Sequence, residues 1–207
     1  MPRVVVPLLA YLHQPMGDCT GIRLIDSTPL KVCHPARISH HRVFADTAKR
    51  GKTSVGWFYG FKRHLVVTDR GELLRLCLTP GNLADRQPVP QLARQARRLC
   101  GKLFGDQGSI SQARVAQVIV DHRVHLVTRR RKKMRNRLME VSDQRLLRKR
   151  AISESLNDQL TNICQVEHSR HRSSANFLIN LLGGLIAYCH LPKKPSLDLG
   201  PLALPAA

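Results

Sequence analysis

The sequence predicts an α/β domain built on a mixed sheet flanked by helices, and three observations carry that expectation. Short runs rich in Val, Ile and Leu, each bounded by Gly, Pro or Asp, recur along the chain, and that is the composition of strands. Between the later runs lie segments with apolar residues at helical spacing. Helices that cross over between strands imply parallel neighbours, beside the antiparallel ones joined by hairpins. With 207 residues, 43% of them hydrophobic, the chain is long enough to enclose one substantial core and too apolar to be disordered.

The N-terminal stretch MPRVVVPLLAYLHQPMGDC holds a short apolar run, but Pro7 interrupts it and PMGDC makes a poor cleavage site, so it is not read as a secretion signal. The first strand is Ile22–Asp26, with LKVC after Pro29 as its continuation, and a basic, His-rich loop follows. WFYGFKRHLVVTD and ELLRLCLTP then flank the turn DRG as a hairpin. After the turn-forming PGNLADRQPVP, a helix over QLARQARRLC places Leu92, Ala96 and Leu99 on one face and stops at Gly101. KLFGD is the next strand, ending at Asp106, and a helix opened by Ser111 carries Val115, Val118, Ile119 and His122 on one face. VHLVT is the strand after it.

The basic run RRRKKMRNR leads into a long helix from about Asp143 to Cys164, whose apolar stripe is Ile152, Leu156, Leu160 and Ile163. Glu154 falls on the opposite face, with Arg150 and Asp158 one turn to either side. NFLINLLGGLIAYCH reads as a buried terminal helix, too short and too Gly-interrupted for a membrane span. LPKKPSLDLGPLALPAA is a polar, Pro-rich tail without a folding pattern.

Charge narrows the partner. The chain carries 34 Lys and Arg against 14 Asp and Glu, a net charge of +20. A surplus of that size attracts polyanions through counterion release, so nucleic acid is the expected partner. The basic residues are spread along the chain rather than gathered on one amphipathic helix, which disfavours a membrane surface. Six cysteines without a CxxC pair fit reduced thiols in a cytosolic protein. Cys164, His168 and His171 lack the second ligand pair of a zinc finger.

Several basic residues are candidate phosphate contacts. These are Lys52 and Lys62 around the start of the hairpin, Arg129, Arg130, Arg131, Lys132 and Lys133 in the basic run, and Arg170 and Arg172 before the last helix. RGKTS is not a Walker loop, because Asp46 stands where that motif needs Gly. Trp57 reads as a sheet-packing residue, with stacking on an unpaired base as the alternative.

Three carboxylates stand out by position: Asp26 and Asp106 at strand ends, and Glu154 in mid-helix among polar neighbours. Strand-end carboxylates gather at one edge of an α/β sheet, where ligands bind. Hard cations such as Mg²⁺ take oxygen ligands, and phosphoryl transfer uses two such ions about 4 Å apart. On spacing alone a second reading stands beside this one, with each Asp a turn residue and Glu154 merely solvated.

The stretches IDSTPLKVCH, RGKTSVGWFYGFKRHLVVTDRGELLRLCLTPGNLADRQPVP, KLFGDQGSIS and RKRAISESLNDQLTNICQVEHSRHRSSANFLINLLGGLIAYCHLPKKPSL occur in this order between residues 5 and 197. Together they resemble the catalytic region of bacterial DDE transposases of insertion-sequence family 982. The resemblance implies a ribonuclease-H-like fold of the retroviral-integrase type, with acids on the first strand, after the fourth strand and on a late helix. Asp26, Asp106 and Glu154 would then be the catalytic triad, holding two Mg²⁺ or Mn²⁺ ions for DNA cleavage and strand transfer. Arg150 matches an Arg one turn before the catalytic Glu that holds DNA phosphate. Thr161 stands where relatives carry a Lys, and Gln107 and Ser109 replace a Lys and an aromatic residue beside the second Asp.

The resemblance further implies a DNA partner comprising transposon ends and target, a homodimer on that DNA, and a bacterial cytoplasmic, nucleoid-associated location. It divides the chain into residues 1–20 as the remnant of a preceding region, 21–190 as the catalytic domain and 191–207 as the tail. Family members carry a further N-terminal region, so a truncated copy is expected, and a catalytically inactive DNA-binding remnant is the alternative reading.

Overall fold

The computed structural model describes residues 2–18, 20–94, 101–105, 124–128, 143, 146, 151–167 and 171–197. Its centre is a six-stranded mixed sheet. β1 (Ile22–Cys33) pairs antiparallel with β3 (Trp57–Thr68), and β3 carries both β2 (Lys49–Lys52) and β4 (Leu73–Pro80) along its other edge. β5 (Gly101–Gly105) lies parallel to β1, and β6 (Val124–Thr128) parallel to β5. The order β4-β3-β1-β5-β6, three strands antiparallel and then two parallel to β1, is that of the ribonuclease-H-like fold.

Alternation along the strands gives the sheet two buried faces. Ile22, Leu24 and Leu30 of β1 join Phe61, Leu65 and Val67 of β3 in the larger core. That face is covered by α1 (Pro2–Leu12), α3 (Ala151–Asp158) and α4 (Ser174–Cys189), which supply Leu12, Leu156 and Leu185. Ile25, Val66 and Leu103 point the other way, against Val89 and Leu92 of α2 (Val89–Arg94). α4 begins where Ser173 caps it by accepting from the Asn176 amide at 3.2 Å, and its Tyr188 donates to the Gly71 carbonyl at 2.7 Å.

β1 runs unbroken through Asp26 and Pro29 to Cys33, with the expected continuation LKVC in the same strand. Its pairing with β5 ends at Ile25, so among the described residues Pro29 lies where β1 has a neighbour on one side only, and a missing N–H there costs no bond on the other. The late helix passes at Gln159 into a π turn, Gln159–Ile163. The wider turn breaks the 3.6-residue stripe, which leaves Leu160 buried but Ile163 59% exposed rather than in the core. Among residues 143–150 only Asp143 and Leu146 are described, both helical, and the expected helix after Ser111 lies outside the described residues.

Candidate active site

Asp26 has the same parity on β1 as Ile22 and Leu24, so its half-buried side chain emerges on the face covered by α3. Asn157, in the last turn of α3, donates from Nδ2 to Asp26 Oδ2 at 2.6 Å. Arg63, on the same face of β3, donates from Nη2 to Asn157 Oδ1 at 2.8 Å. The guanidinium only donates, so it takes the amide oxygen, and the amide NH₂ is left facing the carboxylate.

Arg63 is 1% exposed. Burial pulls its pKa down to about 10, against the opposing charges of Asp26 and then Glu167. It therefore stays a cation at neutral pH, one carboxamide away from Asp26. Asp26 Oδ1 accepts no hydrogen bond among the described residues, and it remains open to a further partner.

Glu154 precedes Asn157 by three residues on α3, which places the two on adjoining positions of one helix face. Its carboxylate is exposed and makes no hydrogen bond or ion pair with another described residue. Gly105, the last residue of β5, is in register with Ile25, beside Asp26. The same edge is tied to the segment before α3 by Lys102, whose Nζ lies 2.8 Å from Asp143 Oδ1. Among the described residues no three His, Cys, Asp or Glu form a metal-binding group. Two carboxylates with available oxygens, Asp26 and Glu154, are donors suited to a hard divalent cation. Asp106, Arg150, Arg129, Arg130, Arg131, Lys132, Lys133 and Arg170 lie outside the described residues.

The opposite face of the sheet holds a separate polar cluster. Lys62, expected to contact phosphate, has the other parity from Arg63 and is 8% exposed. Its Nζ lies 2.9 Å from Asp85 Oδ1 and donates to the Leu83 carbonyl at 2.9 Å, while Ser27 donates to the same Asp85 oxygen at 3.0 Å. It pins the β4–α2 connection to the sheet and is not presented to a ligand. His64 lies beside it, 1% exposed, with Nε2 2.8 Å from Thr79 Oγ1. Burial pushes the His64 pKa down to about 4, partly offset by Asp85, so this imidazole is neutral and structural.

The remaining expected contacts are exposed. Lys52 is on β2, and Arg172 lines a cleft of about 1140 Å³ beside the end of β1. Trp57, expected to pack in the sheet, is 54% exposed. Sequence reasoning passed over Asn157 and Arg63. The available signal was Arg63 itself, a charge in an otherwise apolar alternation of Phe61, Leu65 and Val67.

The strand order and the helices packed on the sheet define a ribonuclease-H-like domain. More narrowly, the chain belongs to the transposase DDE domain family, whose model matches residues 16–174. Comparison with curated proteins gave no match. Among solved structures the chain is similar to one described as the simian T-cell lymphotropic virus intasome in complex with PP2A regulatory subunit B56 gamma, at 12% identity and a TM-score of 0.34. That likeness covers 92% of this chain and 62% of the other, so this chain spans less than two thirds of its length. No helix among the described residues is long and apolar enough to cross a membrane.

Proposed function

We propose that this chain is an insertion-sequence transposase of family 982 that cleaves and joins DNA, with Asp26, Asp106 and Glu154 as its catalytic carboxylates. The observation that carries the reading is the Asn157–Asp26 hydrogen bond of 2.6 Å, which joins the strand of one proposed acid to the helix turn of another. Asp106 follows directly on Gly105, whose register partner Ile25 precedes Asp26. The +20 charge supports DNA as the substrate, transposon ends and target alike. A pair of protomers, one for each DNA end, and action in the bacterial cytoplasm complete the reading.

When bound, two Mg²⁺ or Mn²⁺ ions supply Lewis-acid activation of the attacking oxygen and neutralise charge on the scissile phosphate. The chain's residues hold and orient. Asp26 offers Oδ1 while Asn157 fixes Oδ2, and Arg63 keeps the carboxamide turned the right way. Glu154 approaches from α3 with its carboxylate free of other described partners. In-line displacement of this kind needs no protein nucleophile.

The test is nicking of supercoiled plasmid with Mn²⁺, which requires no knowledge of the terminal sequences. Wild type is expected to nick, and Asp26→Asn, Asp106→Asn and a chelator to abolish nicking with the circular dichroism of both variants unchanged. Full metal-dependent nicking by either variant removes that residue from the site, and a wild type that binds DNA but never nicks favours the noncatalytic remnant.

A further inference from the structure

The β2–β3 hairpin carries features that the carboxylate site does not use. Trp57, the single tryptophan of the chain, opens β3 with its indole 54% exposed. Arg50 and Lys52 of β2 approach that ring at 4.9 and 5.5 Å from its centroid, and Val55 at the tip is 93% exposed. The exposed ring with two cations beside it is the pairing of side chains that holds an unpaired base and its phosphates.

The hairpin is also rigid. Thr53 and Gly56 exchange backbone hydrogen bonds of 2.8 and 3.3 Å across the turn, and Thr53 Oγ1 donates to Gly56 O at 3.2 Å. At its base Gly51 and Phe58 are buried, and the Gly81 amide donates to Gly60 O at 2.9 Å. A fixed aromatic platform costs little ordering entropy on binding.

We propose that this hairpin grips a single strand of DNA, an unpaired base stacking on Trp57 while Arg50 and Lys52 contact the flanking phosphates. The inference rests on the DNA-processing reading above. Charge complementarity carries it further: Trp57 itself lines the cleft of about 1140 Å³, together with Lys31, Arg37, Arg42 and Arg172 and, among the described residues, no Asp or Glu. Base-on-aromatic stacking with flanking cations is how single strands are held without sequence preference. Trp57 shares its side of β3 with Phe61 and Arg63 and stands eight residues from Leu65, the register partner of Asp26. At about 3.4 Å per residue Trp57 lies ~27 Å along β3 from the register partner of Asp26.

Because Trp57 is the only indole, intrinsic fluorescence reads the contact directly. A single-stranded thymidine oligonucleotide is expected to quench it, and a duplex of equal length to quench it less. By anisotropy of a labelled oligonucleotide, Trp57→Ala is expected to weaken single-strand binding roughly 5- to 160-fold and Trp57→Phe much less. Duplex affinity should change by less than about twofold, since stacking needs an unpaired base. Arg50→Ala with Lys52→Ala should lower the single-strand salt slope by about 1.4. Single-strand binding without a fluorescence change, or wild-type affinity in Trp57→Ala, overturns the inference. A concentration-dependent increase in sedimentation that Trp57→Ala removes, with DNA affinity unchanged, overturns it in favour of a contact between copies. Duplex binding retained in either case leaves the DNA-processing reading standing, whereas failure to bind any DNA removes both.

Discussion

Asn157→Ala probes how the candidate site is held together. The substitution deletes a donor 2.6 Å from Asp26 and an acceptor 2.8 Å from Arg63. Each bond has a charged partner, and such bonds contribute about 1.5–3 kcal/mol. The two losses are unequal. Asp26 is half-buried, so water replaces much of what its carboxylate loses. Arg63 is 1% exposed, and its Nε and Nη1 already lack a partner among the described residues. Deleting the amide oxygen leaves that buried cation without its described acceptor.

The expected cost is about 2–4 kcal/mol, most of it on the Arg63 side. For a chain of this size that is a fall in Tm of roughly 4–16 °C, and in urea a lower midpoint at constant slope. Arg63→Met supplies the second corner of a cycle. With the cation gone Asn157 has less to satisfy, so Asn157→Ala should cost at least about 1 kcal/mol less in the Arg63→Met background than in the wild type. Additivity within about 0.5 kcal/mol would refute the bridging role.

Three further outcomes follow from the same structure. His64 has its pKa pushed from 6.5 to about 4, so between those values the unfolded chain binds a proton that the native chain refuses. Its contribution is full above pH 6.5 and declines as pH falls towards about 4, by about 3 kcal/mol over the whole window; urea unfolding of wild type and His64→Gln should show a shallower decline in the variant, and identical profiles count against it. Lys62→Met should destabilise by about 1–3 kcal/mol yet leave the salt slope of duplex binding unchanged, whereas Lys52→Ala should reduce that slope by about 0.9; an equal effect of Lys62→Met on the slope would show that Lys62 reaches DNA. Gly101 has a φ of +83° and a Cβ there would meet the Gly21 carbonyl, so Gly101→Ala should destabilise by about 1–3 kcal/mol in denaturant unfolding, and a neutral result would contradict the close approach of β5 to β1.

Local patterns made most of the fold legible. Apolar runs bounded by turn residues marked β3 and β4, and the DRG turn between them marked their antiparallel pairing. The long apolar run NFLINLLGGLIAYCH marked α4. What local pattern did not carry was which side of a strand faces which helix. Lys62 and Arg63 are both basic neighbours in a buried strand, and only their pairing and coverage assign one to Asp85 and the other to Asn157. Trp57 was misread for a related reason: its composition suits a sheet, but it opens β3 opposite a four-residue strand and is 54% exposed, with no layer among the described residues packed over its indole. The π turn after Asp158 was equally invisible, since the apolar spacing up to Ile163 is that of an ordinary helix.

The arrangement around Asp26 suggests why a carboxamide stands between two opposite charges. A guanidinium paired directly with Asp26 would take both carboxylate oxygens in a bidentate fork and leave neither for a cation. With Asn157 interposed, only Oδ2 is occupied among the described residues. The same side chain belongs to the helix that carries Glu154, so a shift of α3 that separates Glu154 from the strand also withdraws the donor from Asp26. Carboxylate geometry and helix position are therefore one variable rather than two. In a chain of net charge +20, where cations are repelled at long range, a carboxylate with one oxygen open is the local feature that a divalent ion would need.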